Sequence, residues 1–209
     1  HHYTNKKIVF GEKNIHCYGA YILDEKTGEI DTYLAKKVVL ATGGSGQTYA
    51  TTTNPIIATG DGIGMAFRAK ALVEDMQYIQ FHPTALDVPG IIPACLMSEA
   101  VRGFGAYLKN KSGERFMFKT DERGELASRD IVSRAINMEI NTSGTECVYL
   151  DCTHLDQEAF YNHFPNIVEH CREMGYDVFK ECIPVVPAQH YFMGGVKVDY
   201  HSRSSMENL

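Results

Sequence analysis

The sequence contains no C-x-x-C pair, although it holds six cysteines: Cys17, Cys95, Cys147, Cys152, Cys171 and Cys182. Disulfide scaffolds are short and cysteine-dense, and 209 residues with six scattered thiols are neither. Reduced thiols in a cytoplasmic protein are expected. Zinc is not, because His170 beside Cys171 and the Cys147/Cys152 spacing fit no usual ligand pattern; the metal expectation is none. The longest apolar runs fall far short of a membrane span. The opening, His1-His2-Tyr3-Thr4-Asn5-Lys6-Lys7, leads into a strand-like run without the apolar core of a signal peptide, so no secretory leader is expected. His1 and His2 fit a tag remnant or a native start equally well. There is no basic run, and the formal charge is −6, which argues against a nucleic-acid partner. Repeats, low-complexity tracts and flexible linkers are absent. So is the G-x-S-x-G nucleophile signature. The dinucleotide fingerprint G-x-G-x-x-G is incomplete in three places: frames opening at Gly44, Gly60 and Gly103 reach Tyr49, Met65 and Leu108. A motif-bearing first βαβ unit of the Rossmann type is therefore not expected within this chain.

What is present is ordinary for a soluble globular protein: 44% hydrophobic and 22% charged residues. The length suits one or two domains with a sizeable core. Residues 6 to 40 alternate like a β-meander, with runs at Lys7–Phe10, Cys17–Leu23 and Val38–Ala41 and a turn at Asp24–Gly28. Val38–Ala41 reads as a fully buried strand. It ends in Thr42-Gly43-Gly44-Ser45-Gly46, the kind of turn with which α/β folds bring backbone close to a cofactor. Thr59-Gly60-Asp61-Gly62-Ile63-Gly64 leads into a helix over Met65–Ala71, with Asp61 as a plausible N-cap facing a phosphate or flavin edge, or as an ordinary cap. Further on, Ser98 caps a short helical start. A hairpin is expected with arms at Tyr107-Leu108 and Arg115–Phe118. Leu126–Ile140 is an amphipathic helix whose face carries Ile131, Val132, Ala135, Ile136 and Ile140. Val148–Leu150 is a strand, Leu155–Met174 is helical with a restart at Pro165, and Ile183–Val198 is extended, broken at Gly194-Gly195.

Three positions could carry chemistry. Gln80-Phe81-His82-Pro83-Thr84 sets an imidazole, a rigid proline and a hydroxyl together at the end of an apolar run. Pro83 biases His82 toward an extended backbone, presenting it where catalytic groups of α/β proteins commonly sit. A hydrogen-bonded structural histidine is the competing reading. Arg129, near the start of the amphipathic helix, could bind a carboxylate through its planar fork or be a solvated helix charge. His190, in Pro187-Ala188-Gln189-His190-Tyr191-Phe192-Met193-Gly194-Gly195, needs a partner if buried. Ser98 and Glu99 could contact a ligand or simply cap and solvate a helix. Together the residues outline an anion clamp in an α/β protein, and alone they go no further.

Six ordered blocks carry a resemblance: VVLATGG (38–44), TTNPIIATGDGIG (52–64), QFHPTAL (80–86), SEAVRGFGAYL (98–108), DERGELASRDIVSRAI (121–136) and IPVVPAQHYFMGGV (183–196). From about Lys37 onward the chain resembles the fumarate reductase and succinate dehydrogenase flavoproteins. TTNP, FHPTAL, DERGELA-x-RDIV and IP-x-VPA-x-HY lie closer to the L-aspartate oxidase branch than to the respiratory enzymes. The resemblance implies an α+β chain: a capping domain of the fumarate reductase type with flanking strands of a split, Rossmann-like FAD-binding domain. The boundaries it implies are 1–75 and 191–209 for the FAD-binding parts and 76–190 for the cap, with the active site under the flavin. FAD would be non-covalent. His82, Thr84, Ser98, Arg129 and His190 match family substrate positions, with His82, Arg129 and His190 holding two carboxylates. Arg129 also matches the arginine credited with proton transfer in fumarate reductases, although a guanidinium rarely gives up its proton. Thr42, Gly43, Gly44, Asn54, Gly60, Asp61 and Gly62 match positions around FAD.

The implied reaction is hydride transfer from Cα of L-aspartate to the flavin, giving iminosuccinate for quinolinate and NAD synthesis, with oxygen or fumarate as acceptor. A small dicarboxylate is the implied ligand and quinolinate synthase a possible protein partner; no membrane or nucleic acid is involved. Ser98 stands where the family usually has threonine, and Phe104 where it usually has glutamate in R-G-E-G. The family's first FAD fingerprint, a later flavin segment and a second substrate arginine are not found, so the chain reads as an internal fragment. Two other readings remain open: the flavoprotein subunit of a fumarate reductase or succinate dehydrogenase, and a folded but catalytically silent fragment that does not retain FAD.

Overall fold

The computed structural model describes residues 15–209. Its elements in chain order are β1 (Gly19–Leu23), β2 (Ile30–Leu34), α1 (Asp61–Arg68), β3 (Val73–Glu74), β4 (Ile79–Leu86), α2 (Glu99–Gly103), β5 (Tyr107–Lys109), α3 (Arg129–Ser143), β6 (Val148–Asp151), α4 (Gln157–His163), α5 (Pro165–Glu173), β7 (Ile183–Phe192) and β8 (Gly195–Val196). Helix and sheet are thus mixed. No helix among the described residues is long and apolar enough to cross a membrane. The chain forms two compact units, one from residues up to Ser45 with Ala58–Tyr78 and Phe192–Leu209, the other from Gly46–Ile57 and Ile79–Tyr191.

In the first unit β1 and β2 pair antiparallel, Gly19 opposite Leu34 and Leu23 opposite Ile30. The turn falls at Asp24–Gly28 as its residues require: Gly28 has φ +73, its N–H donates to Asp24 O at 2.8 Å, and Asp24 Oδ1 accepts from Lys26 N at 2.8 Å. The expected run at Lys7–Phe10 lies outside the described residues. The buried strand expected at Val38–Ala41 is not one. Val39 is 88% exposed, and among the described residues the segment's main-chain contact is a bond from Val38 N to Asn208 O at 2.8 Å. An apolar sequence makes a strand only when a neighbour supplies the rest of the ladder. Helix α1 also starts differently: its N-cap is Gly60 in the left-handed region (φ 81), and Asp61 is the first helical residue, its carboxylate accepting from Thr59 Oγ1 at 2.7 Å. The helix stops at Arg68, because Lys70 takes φ 72. Strands β3 and β8 pair antiparallel, and a Cβ on Gly194 would lie 2.3 Å from Glu74 O, so only glycine fits there. A small core of Ala66, Ala71 and Met206 holds this unit together.

The second unit is built on a four-stranded sheet in the order β4-β7-β6-β5, with β5–β6 and β6–β7 antiparallel. Helix α3 packs on β4. The core between them and around α4 and α5 includes Leu108, Val132, Ile136, Leu150, Phe160, Ile183 and Val185, all completely buried. The apolar face expected of α3 is the buried one: Val132, Ala135 and Ile136 are buried and Ile131 and Ile140 half-buried. The helix begins at Arg129 rather than Leu126, because Gly124–Leu126 forms a 3-10 turn and Ala127 and Ser128 are extended. It ends where Gly144 adopts φ 65. The hairpin expected after Tyr107 has its turn, with Gly113 N donating to Asn110 O at 2.9 Å, but its second arm folds into a 3-10 turn at Met117–Lys119. The hairpin keeps one antiparallel bridge, Lys109 with Arg115, while β5 pairs along its length with β6, which buries Leu108 against Leu150. Asp156 caps α4 by accepting from Ala159 N at 2.8 Å, and Pro165 starts α5 where its missing N–H costs nothing.

Candidate functional site

β4 buries its second half, and His82 is 1% exposed. Pro83 has no N–H to offer, so the next donor, Thr84 N, turns onto His82 Nδ1 at 3.3 Å. With Nδ1 accepting, the ring's proton belongs on Nε2. Nε2 is buried and has no partner among the described residues. A buried donor left unpaired costs about 1–3 kcal/mol, which marks it as a group awaiting a ligand or water. Burial first, then the charges of Arg129, Arg102 and His190, lower the His82 pKa to about 3, with Glu99 acting the other way. His82 is therefore neutral at ordinary pH.

His190 lies on β7, its ring 5.6 Å from that of His82 at 64°. Its Nδ1 is 2.8 Å from Thr53 Oγ1. Burial and then the Arg129 charge push its pKa down as well. Arg129 is the first residue of α3, a poor place for a cation next to the positive end of the helix dipole. Its Nε donates to Glu99 Oε2 at 2.6 Å and its Nη1 to Gln80 Oε1 at 2.9 Å. The hydrogen bond from Arg129 is the main reason the Glu99 carboxyl is held below its usual range. Arg129, Glu99, Gln80 and Ser133 face a cleft of about 690 Å³.

The structure thus brings His82, His190 and Arg129 into one electrostatic neighbourhood, though neither imidazole is in the cleft wall. Thr84 and Ser98 are differently engaged. Thr84 Oγ1 donates to Met97 O at 2.9 Å, and Ser98 caps α2 by accepting from Ala100 N at 3.3 Å. Several neighbours escaped the sequence reading. Arg102 is 2% exposed, donates from Nη1 to Glu125 O at 2.6 Å, and has buried Nε and Nη2 without partners among the described residues. It lies three residues after Glu99 on α2, a spacing that sets both on one helix face. Thr53 and Gln189 carried no local signal, since their partners are about 137 residues away. Phe104 fills its unusual position by edge contacts with Phe160 and Phe164, ring centroids 5.8 and 5.6 Å apart.

Six of the expected cofactor positions share the first unit. Gly44 O accepts from Gly60 N at 3.1 Å, tying the Thr42–Gly44 turn to the start of α1. A Cβ on Gly62 would come 1.8 Å from Thr42 Oγ1, whereas at Gly43 (φ +74) it would meet open space. At Gly43 the turn therefore leaves main chain open, which fits a phosphate-bearing cofactor pressed against backbone. Asn54 belongs to the second unit, where its Nδ2 donates to His190 O at 2.8 Å. All six cysteines are free thiols, and burial raises Cys152 and Cys171 to about 12. Among the described residues no group of three or more His, Cys, Asp and Glu could hold a metal ion.

The family model described as "FAD binding domain" matches residues 4–209. The curated L-aspartate oxidase 1 of Ralstonia nicotianae is 49% identical over 206 residues, covering 99% of this chain and 38% of that protein. The chloroplastic L-aspartate oxidase of Arabidopsis thaliana is 43% identical over 204 residues, 94% of this chain and 31% of its own length. Among solved structures, a quinol-fumarate reductase with menaquinol molecules superposes with TM-score 0.83 at 34% identity, over 93% of this chain and 36% of that one. The chain thus spans less than two-fifths of the length of the curated relatives it matches.

Proposed function

Because the chain belongs to the FAD binding domain family, we propose that it is a segment of an FAD-dependent L-aspartate oxidase. The observation that carries the reading is the convergence of a guanidinium and two imidazoles, one of them buried with an unpartnered Nε2. That donor set suits a small dicarboxylate. The resemblance to L-aspartate oxidases at 43–49% identity, against 34% for the quinol-fumarate reductase structure, favours aspartate over succinate.

In this reading residues 76–190 form the cap over the substrate, and 1–75 with 191–209 contribute to the FAD-binding part. Thr42, Gly43, Gly44, Gly60, Asp61 and Gly62 would hold FAD. When bound, FAD supplies the acceptor for the two electrons that leave Cα. Arg129 grips one carboxylate and is itself aligned by Glu99 and Gln80. His82 and His190 donate to the other carboxylate. Arg129 orients substrate and stabilises developing charge. Thr84 and Ser98 support the site by holding Met97 and α2. The product, iminosuccinate, would pass to quinolinate synthase in the cytoplasm.

A second reading, the flavoprotein subunit of a fumarate reductase or succinate dehydrogenase, is favoured by the 0.83 superposition. Turnover separates them. The full-length protein should oxidise L-aspartate with oxygen or fumarate; oxidation of succinate and never of aspartate would reject the first reading. The 209-residue chain itself is proposed to be silent, because it matches only 38% of the length of the Ralstonia relative. Turnover by this chain with added FAD would overturn that part.

A further inference from the structure

We infer that Thr53 is a positioning residue: its hydroxyl fixes the tautomer of His190 so that a neutral Nε2–H faces the substrate carboxylate. This rests on the dicarboxylate reading above and deepens it. The assignment follows from where one hydroxyl proton can go. Thr53 Oγ1 lies 2.8 Å from His190 Nδ1 and 3.5 Å from Gln189 O. The first is an ordinary hydrogen bond; the second lies beyond the normal O–H···O range of about 2.5–3.0 Å. The Gln189 carbonyl also already accepts from Thr53 N at 3.0 Å and has Thr52 Oγ1 at 3.0 Å. Thr53 therefore donates to Nδ1, and the ring's own proton sits on Nε2.

The hydroxyl is held in place from both sides. Gln189 N donates to Thr51 O at 2.9 Å, and Asn54 Nδ2 donates to His190 O at 2.8 Å, so residues 51–54 are laced to β7 around the imidazole. His82 reaches the same tautomer by an independent donor, the Thr84 N–H on its Nδ1. Two rings 5.6 Å apart thus present the same edge chemistry, each fixed through Nδ1. A carboxylate wants donors, and two neutral N–H groups beside Arg129 supply them without crowding three positive charges together. The arrangement resembles the outer hydrogen bonds that orient metal-ligating histidines, where the far nitrogen's partner decides what the near nitrogen offers.

The test is long-range 1H–15N spectroscopy of the 209-residue chain labelled with 15N-histidine, with His190 assigned by its loss in His190→Gln. The wild type should show His190 protonated at Nε2 and bare at Nδ1. Thr53→Val should convert it to a mixture of tautomers, and Thr53→Ser should restore the single form. A wild-type His190 carrying its proton on Nδ1 overturns the inference, and it needs no variant to fold. So does an unchanged tautomer in Thr53→Val. In the full-length protein Thr53→Val should raise KM for the dicarboxylate roughly tenfold with kcat within about twofold, as expected for a weakened hydrogen bond to a charged ligand. A KM unchanged from wild type contradicts the positioning role. Full-length protein that turns over no dicarboxylate, while His190 keeps its Nε2–H, rejects the functional reading and upholds the tautomer assignment.

Discussion

Leucine in place of Arg129 keeps a helix-forming side chain at the start of α3 and removes the guanidinium. Two contacts are lost, to Glu99 Oε2 at 2.6 Å and Gln80 Oε1 at 2.9 Å. The side chains of the ion pair are 33% and 48% exposed, so solvent screens it and its contribution to stability is about 0–1 kcal/mol. Taking a cation away from the positive end of a helix returns about 0.3–1 kcal/mol. The melting temperature should therefore move by only a few degrees. Activity should respond on another scale. A desolvated, charge-assisted pair with a substrate carboxylate is lost at a cost of about 2–5 kcal/mol. That corresponds to a fall in kcat/KM of about 30- to 5,000-fold. The assay is steady-state oxidation of L-aspartate by the full-length protein, with thermal unfolding and bound FAD measured on the same preparation. A kcat/KM within threefold of wild type would mean that Arg129 only dresses a helix end. A collapse of melting temperature in step with activity would mean that it holds the fold and not the substrate.

Acid should weaken the second unit through His82. Its folded pKa of about 3 lies below the ordinary 6.5, so the unfolded chain takes up the proton first, and stability is fully present above pH 6.5 and lost as pH falls toward 3. The slope attributable to this group is about 1.4 kcal/mol per pH unit, read as the difference in denaturant midpoint between wild type and His82→Gln; parallel pH profiles would refute it. Gly62→Ala drives a Cβ to 1.8 Å from Thr42 Oγ1 and 2.9 Å from Thr42 Cβ, so rotating the threonine does not relieve it. A loss of about 1–3 kcal/mol, partly recovered by adding Thr42→Gly, is expected from urea unfolding. Ile136→Ala empties a completely buried site between α3 and β4 and should cost about 2–5 kcal/mol in the same measurement.

The second unit was largely legible because its signals are local. Periodicity set the face of α3, Pro165 its own helix start, and Ser98 its cap. Elsewhere a tertiary neighbour decided the outcome. Arg115–Phe118 has strand-forming residues, but β5 finds β6, and the arm curls so that Phe116 and Met117 reach the core. Val38–Ala41 has the composition of a buried strand, yet composition cannot supply a ladder partner, and Val39 stays exposed. The clamp residues His82, Arg129 and His190 could be nominated from sequence, and the electrostatic coupling among them appears only in three dimensions. Thr53 and Gln189 could not be nominated at all, since their role depends on a pairing of Thr52 with Gln189 that no local pattern announces.

This chain is proposed to carry the dicarboxylate clamp of a flavin-dependent amino-acid oxidase. The most direct test is the visible spectrum of the full-length protein, titrated anaerobically with L-aspartate. Bound FAD should bleach with aspartate in wild type and stay oxidised in Arg129→Leu. Bound FAD that succinate bleaches and aspartate leaves untouched would contradict it.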